Sequence, residues 1–156
     1  MKIQLLLLGK TTTPSISDLS AVYIKKLQHY CSLEIHVIDN SAIREESPEK
    51  VKEAEAKLIL KKIKDSDTLV LLDENGKTFD SVGFANQMQN WMNSGAKQIV
   101  FVVGGAFGFN KSIYDRAQFK ISLSAMTMSH QLIRPVFLEQ LYRAFTILRN
   151  EPYHHK

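Results

Sequence analysis

Five strand-like segments punctuate the chain, near residues 3 to 8, 33 to 38, 68 to 73, 99 to 103 and 119 to 123, and between them the apolar positions change to helical spacing. Ile99 to Val103 is apolar throughout and largely β-branched, which suits a strand buried on both faces of a parallel sheet. The intervening segments carry helix-start signals. Ser15 or Ser17 is placed to cap a helix running to about Tyr30, and Ser47-Pro48-Glu49 starts one that ends near Ile63. Val82, Ala85, Met88 and Trp91-Met92 mark a third helix between Phe79 and Met92, while Asn75-Gly76 predicts a turn after the third strand. Strand and helix alternate to the end, so the expected fold is α/β, with a mainly parallel sheet flanked by helices. No linker, repeat or low-complexity tract divides it, and residues 1 to 156 are expected to form a single domain.

The last helix, from about His130 to Arg149, has apolar residues on more than one stripe: Leu132, Ile133, Val136, Phe137, Leu138, Leu141, Ala144, Phe145, Ile147 and Leu148. Either it is a central core helix, or one face packs on the sheet and another on a partner subunit. A small sheet does not surround a helix on all sides, which favours the second reading and predicts a homodimer.

Composition narrows the function classes. Hydrophobic content of 44% with 23% charged residues is that of an ordinary globular domain, not of a disordered chain. Ile3 to Leu8 is read as a buried first strand and not a secretory leader, because the run is short and no small-residue cleavage site follows. No segment approaches the roughly 20 apolar residues of a membrane span. Cys31 is the only cysteine and the histidines are scattered, so a disulfide framework and a metal centre are not expected, and a cytoplasmic location fits. The net charge of +4 leaves room for a polyanionic partner without requiring one.

Two strand ends carry the candidate chemistry. Gly104-Gly105-Ala106-Phe107-Gly108 has the wrong spacing for a dinucleotide fingerprint, and Phe109-Asn110 follows where a phosphate-binding loop needs lysine and a hydroxyl. What remains is backbone left bare by glycine, either for turn geometry alone or for close approach of a ligand. The next strand ends in Ser124-Ala125-Met126-Thr127-Met128-Ser129-His130, a second loop of small and flexible residues. Side by side, the two loops form a pocket.

VVGGAFGF, then LSAMTMSHQLIR with LEQLYRA behind it, then a terminal PYHHK, together with the MKIQLLLLGK opening and LLDENGK, occur in this order over the whole chain. In these motifs the sequence resembles the SPOUT superfamily, and within it the bacterial methyltransferases that act on N3 of a pseudouridine in 23S ribosomal RNA. The resemblance implies a C-terminal trefoil knot, in which the Leu123 to Ser129 loop and the following helix thread past the region beginning near Leu72. It implies S-adenosylmethionine as methyl donor, bound in that knot by Leu72, Gly104, Leu123, Ser124, Ala125, Met126, Thr127 and Met128, with no metal. Such a donor has no phosphate, so apolar walls and backbone edges suit it.

The implied acceptor nitrogen carries a proton that must be lost before it attacks a methyl group, which calls for a base, a cation near the base oxygens and in-line positioning. The residues expected to supply these are Tyr153, His154, Arg143, Glu139 and Arg134. Glu139 and Arg143 are spaced i, i+4 and share a helix face, where the plain alternative is a surface ion pair. In the tail, tyrosine can stack on a base, histidine titrates near neutral pH, and Lys156 can contact phosphate. His155 stands where the family usually has its final basic residue, and Ser129 where a proline is frequent. The expected partners are therefore a second copy of the chain and 23S ribosomal RNA in the ribosome. A non-catalytic RNA- or ribosome-binding module on the same fold is the rival reading, disfavoured because a pure binder needs no base for the acceptor nitrogen.

Overall fold

In a computed structural model that describes residues 1–155, five parallel strands form one sheet in the order β2-β1-β4-β3-β5. The elements in chain order are β1 (Lys2–Leu8), α1 (Pro14–Leu27), β2 (Ser32–Ile38), α2 (Pro48–Leu60), β3 (Thr68–Thr78), α3 (Ser81–Asn93), β4 (Gln98–Val103), α4 (Lys111–Arg116), β5 (Phe119–Ser122) and α5 (Ile133–Leu148). Lys156, expected to contact phosphate, lies outside the described residues.

The apolar runs of β1, β3 and β4 are nearly continuous because both sheet faces are covered there. Leu5, Leu7, Val70, Leu72, Phe101 and Val103 face a layer that includes Phe84, Met88, Phe137 and Leu141 of α3 and α5. Their alternating neighbours Leu6, Leu8, Leu69, Leu71, Val100 and Val102 face Ile59 of α2 and Ile113 of α4. The register puts Leu72 opposite Val103 and Ile121 opposite Leu72, so β3, β4 and β5 reach the same level before their loops begin.

Several local expectations are corrected. The first helix starts at Pro14, not at a serine cap: Thr13 is the N-cap without a side-chain bond, and proline at the first position presets the helical φ. The Asn75-Gly76 turn is instead a bulge within β3, which pairs with β5 again at Lys77 and Thr78. Glycine is needed there because a Cβ at Gly76 would lie 2.6 Å from the backbone N and C of Ile121. α4 was not foreseen; Asn110 caps it, accepting from the Ile113 amide at 3.3 Å. α5 begins at Ile133 rather than His130, since Ser129 Oγ accepts from the Leu132 amide at 3.0 Å and closes a turn first. Phe137, Leu138, Leu141, Ala144 and Phe145 of α5 are buried against the rest of the protomer, while Val136, Tyr142, Ile147 and Leu148 keep part of their surface accessible.

Candidate active site

The loops that leave β3, β4 and β5 surround a cavity of about 730 Å³. That is within the ~300–1,000 Å³ usual for a small-molecule site, and its position follows the rule that ligands of open α/β sheets bind beyond the carboxyl ends of the strands. Leu72, Gly104, Leu123, Ser124, Met126, Thr127 and Met128 all line it; Ala125, expected among them, does not. Asp73, Glu74, Asn75, Tyr114 and His130 also line it.

The loops are braced by hydrogen bonds. Thr127 Oγ1 donates to Glu74 Oε2 at 2.8 Å, linking the β5 loop to the β3 bulge. Ser122 Oγ donates to the Ser124 carbonyl at 2.8 Å, and Ser124 Oγ accepts from the Met126 amide at 2.9 Å. This turn leaves Met126 79% exposed at the edge of the cavity. Asp73 accepts from the Asn75 amide at 2.8 Å and from the Tyr114 phenol. Burial, then the Asp73 bond, push the Tyr114 phenol up to about 12.

The glycine loop is required for a different reason than the sequence suggests. Gly104 does not have positive φ, and a Cβ there would meet the Phe109 ring at 3.1 Å rather than fill the cavity. Gly105 faces the Glu55 carboxylate, and within the loop only Gly108 lies in the left-handed region, at φ 77°. Three glycines thus answer to a ring, a carboxylate and a backbone reversal.

Arg134 is 1% exposed. Its guanidinium donates to the carbonyls of Leu8 (2.8 Å), Gly9 (3.0 Å) and His130 (3.0 Å) and to Thr11 Oγ1 (2.9 Å). Burial without a carboxylate partner lowers its pKa. Gln131 adds two bonds, accepting from the Thr12 amide at 3.0 Å and donating to the Lys10 carbonyl at 3.1 Å. The start of α5 is thereby fastened to the loop after β1, and Arg134 does not line the cavity.

Glu139, Arg143 and Tyr153 form a second cluster. Arg143 donates to Glu139 Oε1 from Nη2 (2.6 Å) and Nε (3.1 Å), and the Tyr153 hydroxyl donates to the same oxygen at 3.1 Å. The Arg143 guanidinium carbon sits 4.7 Å from the Tyr153 ring centroid. Glu139 raises the Arg143 pKa, and burial, with help from Glu139, raises that of Tyr153. His154 is half-buried, and its Nδ1 has no partner among the described residues. None of Glu139, Arg143, Tyr153 and His154 lines the cavity. The expected cofactor and catalytic residues therefore occupy separate places in one protomer.

The family description "Predicted SPOUT methyltransferase" matches residues 1–154. The chain belongs to the SPOUT methyltransferase family. Its relatives include the ribosomal RNA large subunit methyltransferase H of Flavobacterium johnsoniae, 52% identical with both chains covered in full. The enzyme of the same name from Parabacteroides distasonis is 47% identical, again over the whole of both chains. A probable methylase family protein from Haemophilus influenzae shares the fold at a TM-score of 0.56 and 11% identity, over 95% of this chain and 66% of that one. The family places a methyl-transfer enzyme on this scaffold. Among the described residues, no helix is long and apolar enough to cross a membrane.

Asp73, Tyr114 and Glu55 escaped the sequence reading. A carboxylate closing a buried strand in LLDENGK was an available signal for Asp73. Tyr114 and Glu55 had none, being brought in by a six-residue helix and by the buried face of α2.

Proposed function

We propose that the protein transfers a methyl group from S-adenosylmethionine to N3 of a pseudouridine in 23S ribosomal RNA of the assembled ribosome, as a cytoplasmic homodimer. The cavity carries this reading: it combines apolar walls with carboxylates, and Lys52, the one lysine lining it among the described residues, is ion-paired to Glu49 at 2.7 Å. That donor set suits a cationic ligand without phosphates. Leu72, Leu123 and Met128 would flank the adenine, and the 123–128 backbone would meet its polar edge. When bound, the donor supplies a methyl group activated by its sulfonium.

The chain's own residues would handle the acceptor. The Arg143 guanidinium, held by Glu139, is a cation for the base oxygens; His154, with Nδ1 unpartnered, is suited to take the N3 proton; Tyr153 offers a ring for stacking. Arg134 is a positioning residue that fastens the start of α5 to the loop after β1. Because Tyr153 and His154 are away from their own protomer's cavity, we infer that they complete the partner's. A trefoil-knotted threading of the 123–129 loop and α5 belongs to the same reading.

The test is methylation of ribosomes from a strain lacking the modification, followed by nucleoside mass spectrometry. A new N3-methylpseudouridine supports the assignment. Donor binding in the presence of a chelator, with no methyl gained by ribosomes, would leave a binding module instead.

A further inference from the structure

Glu55 is a buried carboxylate with one of its two oxygens left without a partner among the described residues. It is 5% exposed on α2; Oε1 accepts from Asn40 Nδ2 at 3.0 Å, while Oε2 is buried without a partner among the described residues. No lysine or arginine pairs with it among the described residues. An ionised carboxylate in that setting is expensive unless a positive charge lies nearby. Its position says where that charge belongs. A Cβ on Gly105 would stand 2.6 Å from both Glu55 oxygens, so the carboxylate lies directly against the backbone that forms the glycine-loop wall of the cavity. Burial holds its pKa above the ordinary carboxylate value, opposed by Asn40 and by His130, which lines the same cavity.

We propose that Glu55 is a specificity-determining residue: through the bare backbone of Gly105 its negative charge favours the cationic methyl donor over the neutral thioether product. The proposal rests on the methyl-donor reading of the cavity. Donor and product differ by one methyl group and one positive charge at sulfur, so shape contributes little to telling them apart. A carboxylate charge behind one wall, itself favoured when a cation sits beside it, contributes directly, and the attraction is lost when the sulfonium becomes a thioether. Gly105 is then required on two counts, since a side chain would push the carboxylate away and occupy the gap that transmits its field.

The experiment measures affinities of S-adenosylmethionine and S-adenosylhomocysteine by calorimetry, for the wild type, Glu55→Gln and Glu55→Asp, with unfolding curves for each. Glu55→Gln keeps the size and the Asn40 bond and removes the charge. The donor's affinity is expected to fall on the order of tenfold, the scale of one screened charge pair in a protein interior, with the product's affinity nearly unchanged. Glu55→Asp is expected to weaken both ligands while keeping most of the wild-type ratio. Equal losses for donor and product in Glu55→Gln overturn the proposal and leave Glu55 as a support of the loop. Should Glu55→Gln fail to fold, Glu55→Met removes the same charge without burying an amide, and the same ratio decides. If the wild type binds neither ligand, the methyl-donor reading itself falls and this inference with it.

Discussion

Replacing Arg134 by methionine separates a supporting role from a direct one, because the two predict losses in different measurements. Methionine fills much of the same space but leaves three carbonyls and the Thr11 hydroxyl without the guanidinium that binds them. A net hydrogen bond contributes about 0.5–1.5 kcal/mol, and an acceptor left buried costs about 1–3 kcal/mol. Water reaching some of these groups lowers the sum, so a destabilisation of about 4 kcal/mol is expected. Against the ~5–15 kcal/mol that holds a domain together this is a large share, and at roughly 2–4 °C per kcal/mol the melting temperature should drop by about 10 °C. Urea unfolding followed by circular dichroism measures it, with donor binding recorded well below the transition. The reasoning fails if Arg134→Met unfolds within about 1 kcal/mol of the wild type while methyl transfer disappears, for then the guanidinium serves the substrate and the four bonds are incidental.

Gly104→Ala should destabilise by about 1–3 kcal/mol by pressing on the Phe109 ring, and Gly104→Val should abolish donor binding by displacing the loop; calorimetry showing near-normal affinity in a folded Gly104→Val would refute this. Tyr114 is held neutral by burial and Asp73, so its contribution to stability is full below its ordinary value near 10 and is lost as pH rises through about 12. Tyr114→Phe should therefore flatten part of the alkaline fall in a melting-temperature profile, and an unchanged slope would count against the bond. Deleting residues 152 to 156 removes Tyr153 from Glu139 and should abolish methyl transfer with donor binding kept, at a modest loss of stability read from a thermal melt. Mixing that deletion with full-length Gly104→Val under subunit exchange should restore partial activity, since one site then has an intact cavity and an intact tail; background activity despite proven exchange would assign the tail to its own subunit.

The central strands β1, β3 and β4 were legible because each is covered on both faces, so burial left a nearly unbroken hydrophobic signature, whereas the edge strands β2 and β5 keep polar and exposed positions. The glycine loop after β4 and the small-residue loop after β5 were legible as pocket walls because parallel strands end level with one another and bring their loops together, whereas Leu72 came only from the family resemblance. What the sequence hid depends on contacts across long chain separations. Gly104 reads as a ligand cradle until Phe109 is found against it, and Asn75-Gly76 reads as a turn until β5 is found pairing beyond it. Arg134 reads as a catalytic cation; only the fold reveals that the end of β1, some 126 residues earlier, supplies its acceptors. Glu55 lies in a helix whose charge pattern is that of any solvated face, and nothing local marks it as buried.

The order of the C-terminal tail follows from how α5 stops. Asn150 takes the left-handed conformation at φ 56°, its amide donating to the Ile147 carbonyl at 3.0 Å and the Glu151 amide to the Thr146 carbonyl at 2.9 Å. This pair of bonds is the Schellman arrangement, which reverses the chain at a helix end. Asparagine accepts that backbone geometry more readily than most residues, so the reversal needs no glycine. Tyr30 donates to the Glu151 carboxylate and pins the next residue, after which Pro152 restricts the path further. Tyr153 is thus led back along α5 to Glu139, fourteen residues before it in sequence. A tail held in this way has already lost most of its conformational freedom before any substrate arrives. If it completes a neighbouring cavity, the ordering cost falls on folding and not on the encounter with RNA, and base positioning depends on the α5 cap as much as on Tyr153 itself.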